Sequence, residues 1–290
     1  MTHKAKKSLG QNFLKSNSAL KKIIEAGEIS SKDIILEIGP GKGALTEKLL
    51  EKSNKVIAIE KDHNLFELLQ KKFSKEIETK KLILIESDCL KFNLKSYRLK
   101  AKSYKLIANI PYNITGAILK KFLTEEPQPN MIVLMVQQEV AQRIVARDKK
   151  ESILSISIKA YGEPKIIMKV PARYFSPAPK VDSAIIAIKN ISRKRFHPLL
   201  DKERDGVRFL NSPPPNLPLI KGEGETVDEE KFWEIVRAGF AHKRKKLSSN
   251  LKNSQVQTGY GHGVGLGNKR AEELSLEDWI LLAKNTKKLF

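Results

Sequence analysis

Ile34-Ile35-Leu36-Glu37-Ile38-Gly39-Pro40-Gly41-Lys42-Gly43 is a short apolar run that ends abruptly in a glycine at every second position. Such a run reads as a buried strand. The glycines let the backbone turn sharply at its carboxyl end and bring N–H groups close to a ligand. The segment that follows, 43–52, reads as a helix with Ala44, Leu45 and Leu49 on one side. The alternation then repeats along the chain. Residues 56–59, 82–85, 104–108 and 131–136 read as strands, with helices expected over about 62–73, 114–123 and 138–146. Short apolar strands separated by helices argue a parallel sheet covered on both faces, a doubly wound α/β fold. Residues 166–170 and 184–188, separated by a Pro-rich segment, read as late strands that pair antiparallel.

Beyond Lys189 the pattern stops. Residues 193–225 carry Pro213-Pro214-Pro215, Pro218 and three glycines, with little periodicity. They read as a linker or insertion between a first domain, 1–192, and a small helical C-terminal domain, 226–290. Thr226 with Glu229 three residues on is expected to cap a helix carrying the stripe Phe232, Ile235, Val236, Phe240. Residues 257–268, with five glycines, form a loop, and Ser275 caps a last helix with Leu276, Trp279, Ile280 and Leu281 facing inward.

Of 290 residues, 54 are Lys or Arg and 33 are Asp or Glu, for a net charge of +21. That field attracts polyphosphates, so a nucleic-acid partner is expected. A membrane surface is not, because no helix pattern sets a lysine face against an aromatic one. A lone cysteine, Cys89, excludes an intramolecular disulfide framework and a cysteine-built zinc site, and the five histidines lack metal spacing. No apolar run is long enough for a transmembrane helix, and the basic residues 1–7 lead into the polar stretch 8–12 rather than a signal core. A cytoplasmic monomer without a metal is expected.

The second strand ends at Glu60, placed to accept hydrogen bonds from a ribose diol, and the third at Ser87-Asp88, whose carboxylate can accept from an adenine amino group. Separately, each glycine has a use in a tight turn, and each acid a use as a solvated strand end. Together, a glycine loop and two acids at the ends of three successive strands describe an adenosine-shaped pocket. Nicotinamide is disfavoured, because its pyrophosphate wants G-x-G-x-x-G where this chain has G-x-G-x-G.

The fourth strand ends in Asn109-Ile110-Pro111-Tyr112, which resembles the motif of the amino-group adenine methyltransferases. Lys7-Ser8-Leu9-Gly10-Gln11-Asn12-Phe13-Leu14, the run from Phe175 to Ala184, and the tail pieces 240–247 and 270–278 extend the likeness. Together they resemble the ribosomal RNA adenine dimethyltransferase family of the KsgA type. The resemblance implies a Rossmann-like methyltransferase sheet with a small helical C-terminal domain. It implies S-adenosylmethionine as donor, held by Asn12, Leu14, Gly39, Glu60, Asp88 and Asn109; Gly41 of the glycine loop and Cys89, a small buried residue whose backbone N–H can reach the adenine, are further cofactor-binding candidates. The acceptors it implies are two adjacent adenosines in a small-subunit (16S) ribosomal RNA hairpin loop, each dimethylated on N6, in a 30S assembly intermediate.

That chemistry suits these residue types. The adenine amino nitrogen is a poor nucleophile, and hydrogen bonds to the Asn109 side chain and the Ile110 carbonyl favour a localised lone pair. Pro111 fixes the backbone there, Tyr112 stacks on an extruded base, and Phe175 closes the other face. Asp182 is expected to stabilise a turn. Lys4, Lys6 and Lys7 at the start, and Lys243, Arg244, Lys245 and Lys246 in the tail, are expected to contact phosphates; Lys7, Lys243, Arg244, Lys245 and Lys246 are the RNA-binding candidates. The alternatives are a large-subunit adenine methyltransferase of the antibiotic-resistance type and a non-catalytic RNA-binding assembly factor.

Overall fold

The computed structural model describes residues 5–6, 9–97, 99–100, 103–196, 227–252 and 268–285. In chain order it contains β1 (Phe13–Leu14), α1 (Asn17–Ala26), β2 (Ile34–Ile38), α2 (Ala44–Lys52), β3 (Lys55–Glu60), α3 (His63–Lys72) and α4 (Ser74–Glu78). There follow β4 (Leu82–Glu86), β5 (Tyr104–Asn109), α5 (Thr115–Thr124), β6 (Met131–Gln137), α6 (Gln138–Val145) and α7 (Ile153–Lys159). The remainder are β7 (Glu163–Val170), β8 (Phe175–Ser176), β9 (Ser183–Lys189), α8 (Glu229–Gly239), α9 (Leu247–Lys252) and α10 (Leu276–Asn285).

The chain folds as two compact units, Met1–Arg147 with Gly162–Ile191, and Asp148–Tyr161 with Ser192–Phe290. The first holds a seven-stranded sheet in the order β4-β3-β2-β5-β6-β9-β7. Strands β2 to β6 run parallel, and β9 lies antiparallel to both β6 and β7. Ile35, Leu36, Val56, Ala58, Leu106, Ile107 and Val133 are completely buried, as continuous apolar strands covered on two faces must be. The chain order reverses between β2 and β5, which opens a crevice at the carboxyl ends of those strands.

Several elements lie outside the sequence expectations, α1 and α7 among them. Helix α1 begins at Ser16, whose side chain accepts from the Ala19 N–H, and buries Ala19, Leu20 and Ile23. Helix α7 groups with the second unit, whereas the sequence reading runs the first domain unbroken to 192. Polar ties account for the difference: the Glu151 N–H donates to the Glu272 carbonyl at 2.8 Å, and the Tyr161 hydroxyl donates to Glu229 while accepting from Trp233 Nε1.

In the second unit α8 is capped by Asp228, whose side chain accepts from the Lys231 N–H; the expected cap, Thr226, lies outside the described residues. The 193–225 segment lies largely outside them, and most of the 257–268 loop does too. Ser275 caps α10 through the Asp278 N–H, as expected. Leu281, expected inside, is 41% exposed, and Leu282 is buried in its place. The helical period decides this, since 276, 279 and 282–283 share a face. Among the described residues no helix is long and apolar enough to cross a membrane.

Candidate active site

A cavity of about 520 Å³ lies in the first unit at the ends of β2, β3, β4 and β5, a size that suits a nucleoside-bearing small molecule. It is lined by Asn12, Leu14, Gly39, Gly41, Glu60, Asp88, Cys89, Asn109, Ile110, Pro111 and Tyr112, so most of the residues singled out from sequence converge there.

The glycine loop is a backbone device. Gly39 has φ +63°, and a Cβ built on it would meet nothing within 4 Å. That open space belongs to the cavity. Gly43, at the cap of α2 with φ +79°, is required for packing as well, because a Cβ there would collide with the Phe73 ring. The Gly41 N–H donates to Glu60 Oε2 at 3.1 Å, while the Lys61 and Asp62 N–H groups both donate to Glu60 Oε1 at 2.9 Å. Burial nevertheless holds the Glu60 carboxyl above the usual carboxylate range, against those three bonds.

Glu37, two residues before the loop, is 1% exposed and lines the cavity. Its Oε2 has no hydrogen-bond partner. Burial, reinforced by the neighbouring Glu60 carboxylate, pushes its pKa up to about 8. From sequence this acid has no assigned role. An acid inside an otherwise apolar strand was the available signal.

Asp88 is engaged at both oxygens: Oδ1 accepts from the Leu90 N–H and Oδ2 from Lys61 Nζ, each at 2.9 Å. Those bonds, the Leu90 one foremost, lower its pKa and keep it ionised. A ligand amino group there must therefore share an oxygen already in use. Cys89 beside it is buried, and burial pushes its thiol up to about 11, so it is no nucleophile.

At the end of β5, Asn109 Nδ2 donates to the Asn12 carbonyl at 3.2 Å. That bond engages the amide nitrogen and leaves Oδ1 as an acceptor. Tyr112 begins a 3-10 turn, and its hydroxyl lies 2.5 Å from Ser183 Oγ. Gln11, Asn12 and Phe13 cover the cavity, with Lys42 Nζ 4.8 Å from the centre of the Phe13 ring. This N-terminal segment is pinned at Asp62, which accepts from Lys6 Nζ at 2.7 Å and Gln11 Nε2 at 2.8 Å. Lys6 thus spends its charge inside the unit.

Phe175 corrects an expectation. It is 2% exposed, pairs through β8 with Leu14 of β1, and packs into the core. Strand residues alternate in direction, so its neighbour Ser176 faces the cavity. Phe175 is not placed to close over a base. Asp182 accepts from the Ala172 N–H at 2.9 Å and pairs with Lys169, which holds the turn. Lys4 and Lys7 lie outside the described residues. Lys243, Arg244, Lys245 and Lys246 sit exposed on the turn between α8 and α9 of the second unit, and among the described residues none pairs with a carboxylate.

Residues 2–201 match the family model described as ribosomal RNA adenine dimethylase. The ribosomal RNA small subunit methyltransferase A of Dehalococcoides mccartyi strain CBDB1 is 37% identical over 284 residues, covering 96% of this chain and 87% of the relative. That of Fusobacterium nucleatum is 34% identical and covers 98% of both. Among solved structures, a dimethyladenosine transferase from Plasmodium falciparum is similar with TM-score 0.69, 26% identity and coverage of 93% and 95% of the two chains. The 23S rRNA methyltransferase ErmE shares the fold at TM-score 0.67 with 24% identity, over 94% of this chain and 99% of its own. The strand-end glycines, the two buried acids and the asparagine at the end of β5 therefore stand in a family setting that spans the catalytic unit, and the chain belongs to the ribosomal RNA adenine dimethylase family.

Proposed function

We propose that this chain transfers methyl groups from S-adenosylmethionine to N6 of two adjacent adenosines in a small-subunit ribosomal RNA hairpin loop, in a 30S assembly intermediate. Three features fit the donor to the cavity. The Gly39 face is open, the Glu37 Oε2 atom lacks a donor that an ammonium group would supply, and Glu60 presents a carboxylate at the ribose position. Asp88 and the neighbouring Cys89 backbone would meet the adenine edge. Bound there, S-adenosylmethionine supplies a methyl group on a sulfonium that carries its own leaving group.

The observation that carries the reading is Asn109. It shares the cavity with Glu60 and Asp88, and its amide nitrogen is held by Asn12. Its oxygen and the Ile110 carbonyl can then accept both hydrogens of one amino group. Tyr112, half-buried at the cavity wall, offers a ring face for a base turned out of its stack. The chain's own contribution is positioning, and no general base is required before attack.

The relatives named for the small subunit are 34–37% identical over nearly the whole chain, which favours that substrate over the large-subunit alternative. ErmE, at 24% identity, bears on the fold alone. The test is mass mapping of methylated nucleotides after incubation with undermethylated small subunits. Two methyl groups on each of two adjacent adenosines are expected. Transfer to large-subunit RNA alone, or none at all, would overturn the reading.

A further inference from the structure

Tyr112 sits on a short turn, Tyr112–Ile114, where little secondary structure holds its ring. Two bonds compensate. The Thr115 hydroxyl donates to the Tyr112 carbonyl at 3.0 Å, and the phenol at the far end of the side chain meets Ser183 Oγ at 2.5 Å. Ser183 is a fixed point: it is completely buried, opens β9, and pairs with Gln137 of β6 on one side and Val170 of β7 on the other. A residue inside two ladders has no backbone freedom left, so its hydroxyl anchors whatever it bonds. Burial also raises the Tyr112 pKa, against the Ser183 bond, which lowers it.

We infer that Ser183 is a positioning residue, which ties the Tyr112 hydroxyl to the sheet and thereby sets the plane of the ring that receives the acceptor base. This rests on the reading that Tyr112 stacks on that base. It follows that the phenol oxygen is used for orientation and takes no part in proton transfer. A ring held at both ends is pre-organised, and its ordering is completed on folding rather than when the base arrives.

The test compares Ser183→Ala, Tyr112→Phe, the double variant and Tyr112→Ala in single-turnover transfer to undermethylated small subunits at saturating S-adenosylmethionine. Tyr112→Phe keeps the ring and loses only the bond. Ser183→Ala and Tyr112→Phe should each slow transfer about tenfold, the scale of one missing hydrogen bond, with donor affinity unchanged and Tm lowered to a similar small extent in both. The double variant should be no slower than either single one, because both remove the same bond. Wild-type rates in Ser183→Ala and Tyr112→Phe beside a slow Tyr112→Ala would overturn the positioning role and leave the stacking reading standing. A wild-type rate in Tyr112→Ala would overturn the stacking reading itself. A slower rate in Ser183→Ala matched by lower Tm and weaker donor binding, with Tyr112→Phe normal, would make Ser183 structural. If Ser183→Ala does not fold, Tyr112→Phe decides: a tenfold slower rate with an unchanged pH–rate profile upholds the positioning role, and a wild-type rate or an altered profile overturns it.

Discussion

At the ends of β2 and β3 the cavity wall is largely backbone: the N–H groups of Gly41, Lys61 and Asp62 converge on the Glu60 carboxylate, and Gly39 leaves open space beside them. At the end of β5 the wall is made of side chains, with Asn109 held by Asn12 and Tyr112 by Ser183, partners 97 and 71 residues away in sequence. The first arrangement follows from local loop geometry and is rigid once the sheet forms. The second depends on side-chain bonds between distant segments, each of which one substitution can remove. Changes at the backbone end should therefore act on donor binding, and changes at the side-chain end on the rate of transfer.

The largest effect is expected at the side-chain end. Asn109→Ala should slow single-turnover transfer by about 100-fold or more, the scale of losing one preorganised group, with the fold intact. A near-normal rate in a folded variant would remove Asn109 from the chemistry. At the backbone end, Glu60→Ala should weaken S-adenosylmethionine binding by about 1–3 kcal/mol, since charge-assisted hydrogen bonds are removed. Calorimetry would read this directly, and unchanged affinity would take Glu60 out of the pocket.

Glu37 sharpens the comparison through pH. Its folded pKa, pushed up to about 8, lies above the ordinary value of 4.5. A raised carboxyl pKa contributes stability that is complete below about pH 4.5 and is lost as pH rises through about 8. Glu37→Gln removes that dependence. Without ligand, the variant should gain Tm on the wild type between about pH 5 and 8, with the widest gap at about pH 8 and above, while binding the donor more weakly. Parallel Tm curves across that range would show that Glu37 ionises without cost.

The smallest effect is expected outside the cavity. Neutralising Lys243, Arg244, Lys245 and Lys246 together should leave donor binding unchanged. It should make the log-affinity against log-salt slope for small-subunit particles shallower by about 0.7–0.9 for each phosphate no longer neutralised. Identical slopes would assign the four to solvent.

Much of the backbone end was legible in the sequence, because its parts are contiguous with the strands that carry them. An apolar run followed by glycines predicts a strand and its terminal turn, and Glu60 ends β3 while Asp88 lies two residues beyond the end of β4. The strand-end place of Asn109-Ile110-Pro111-Tyr112 was legible for the same reason, and its role came from the resemblance to amino-group adenine methyltransferases. What was not legible depends on direction and distance. Phe175 and Ser176 are adjacent, yet one enters the core and the other the cavity, and only the pairing of β8 with β1 decides which. The same holds for Leu281 and Leu282 on the last helix, where one residue's rotation exchanges inside for outside.

Local sequence alone thus determined the parallel sheet, the crevice at its carboxyl ends and the acids that line it, since strand period and turn chemistry act over a few residues. Tertiary structure decided the rest: the Lys6 and Gln11 bonds to Asp62, the Lys61 hold on Asp88, the grouping of α7 with the tail, and the anchoring of Tyr112 by Ser183. The physical reason is that a hydrogen bond is specified by geometry within about 3 Å. Residues 71 apart come within that range only once the sheet has set its strand order and register.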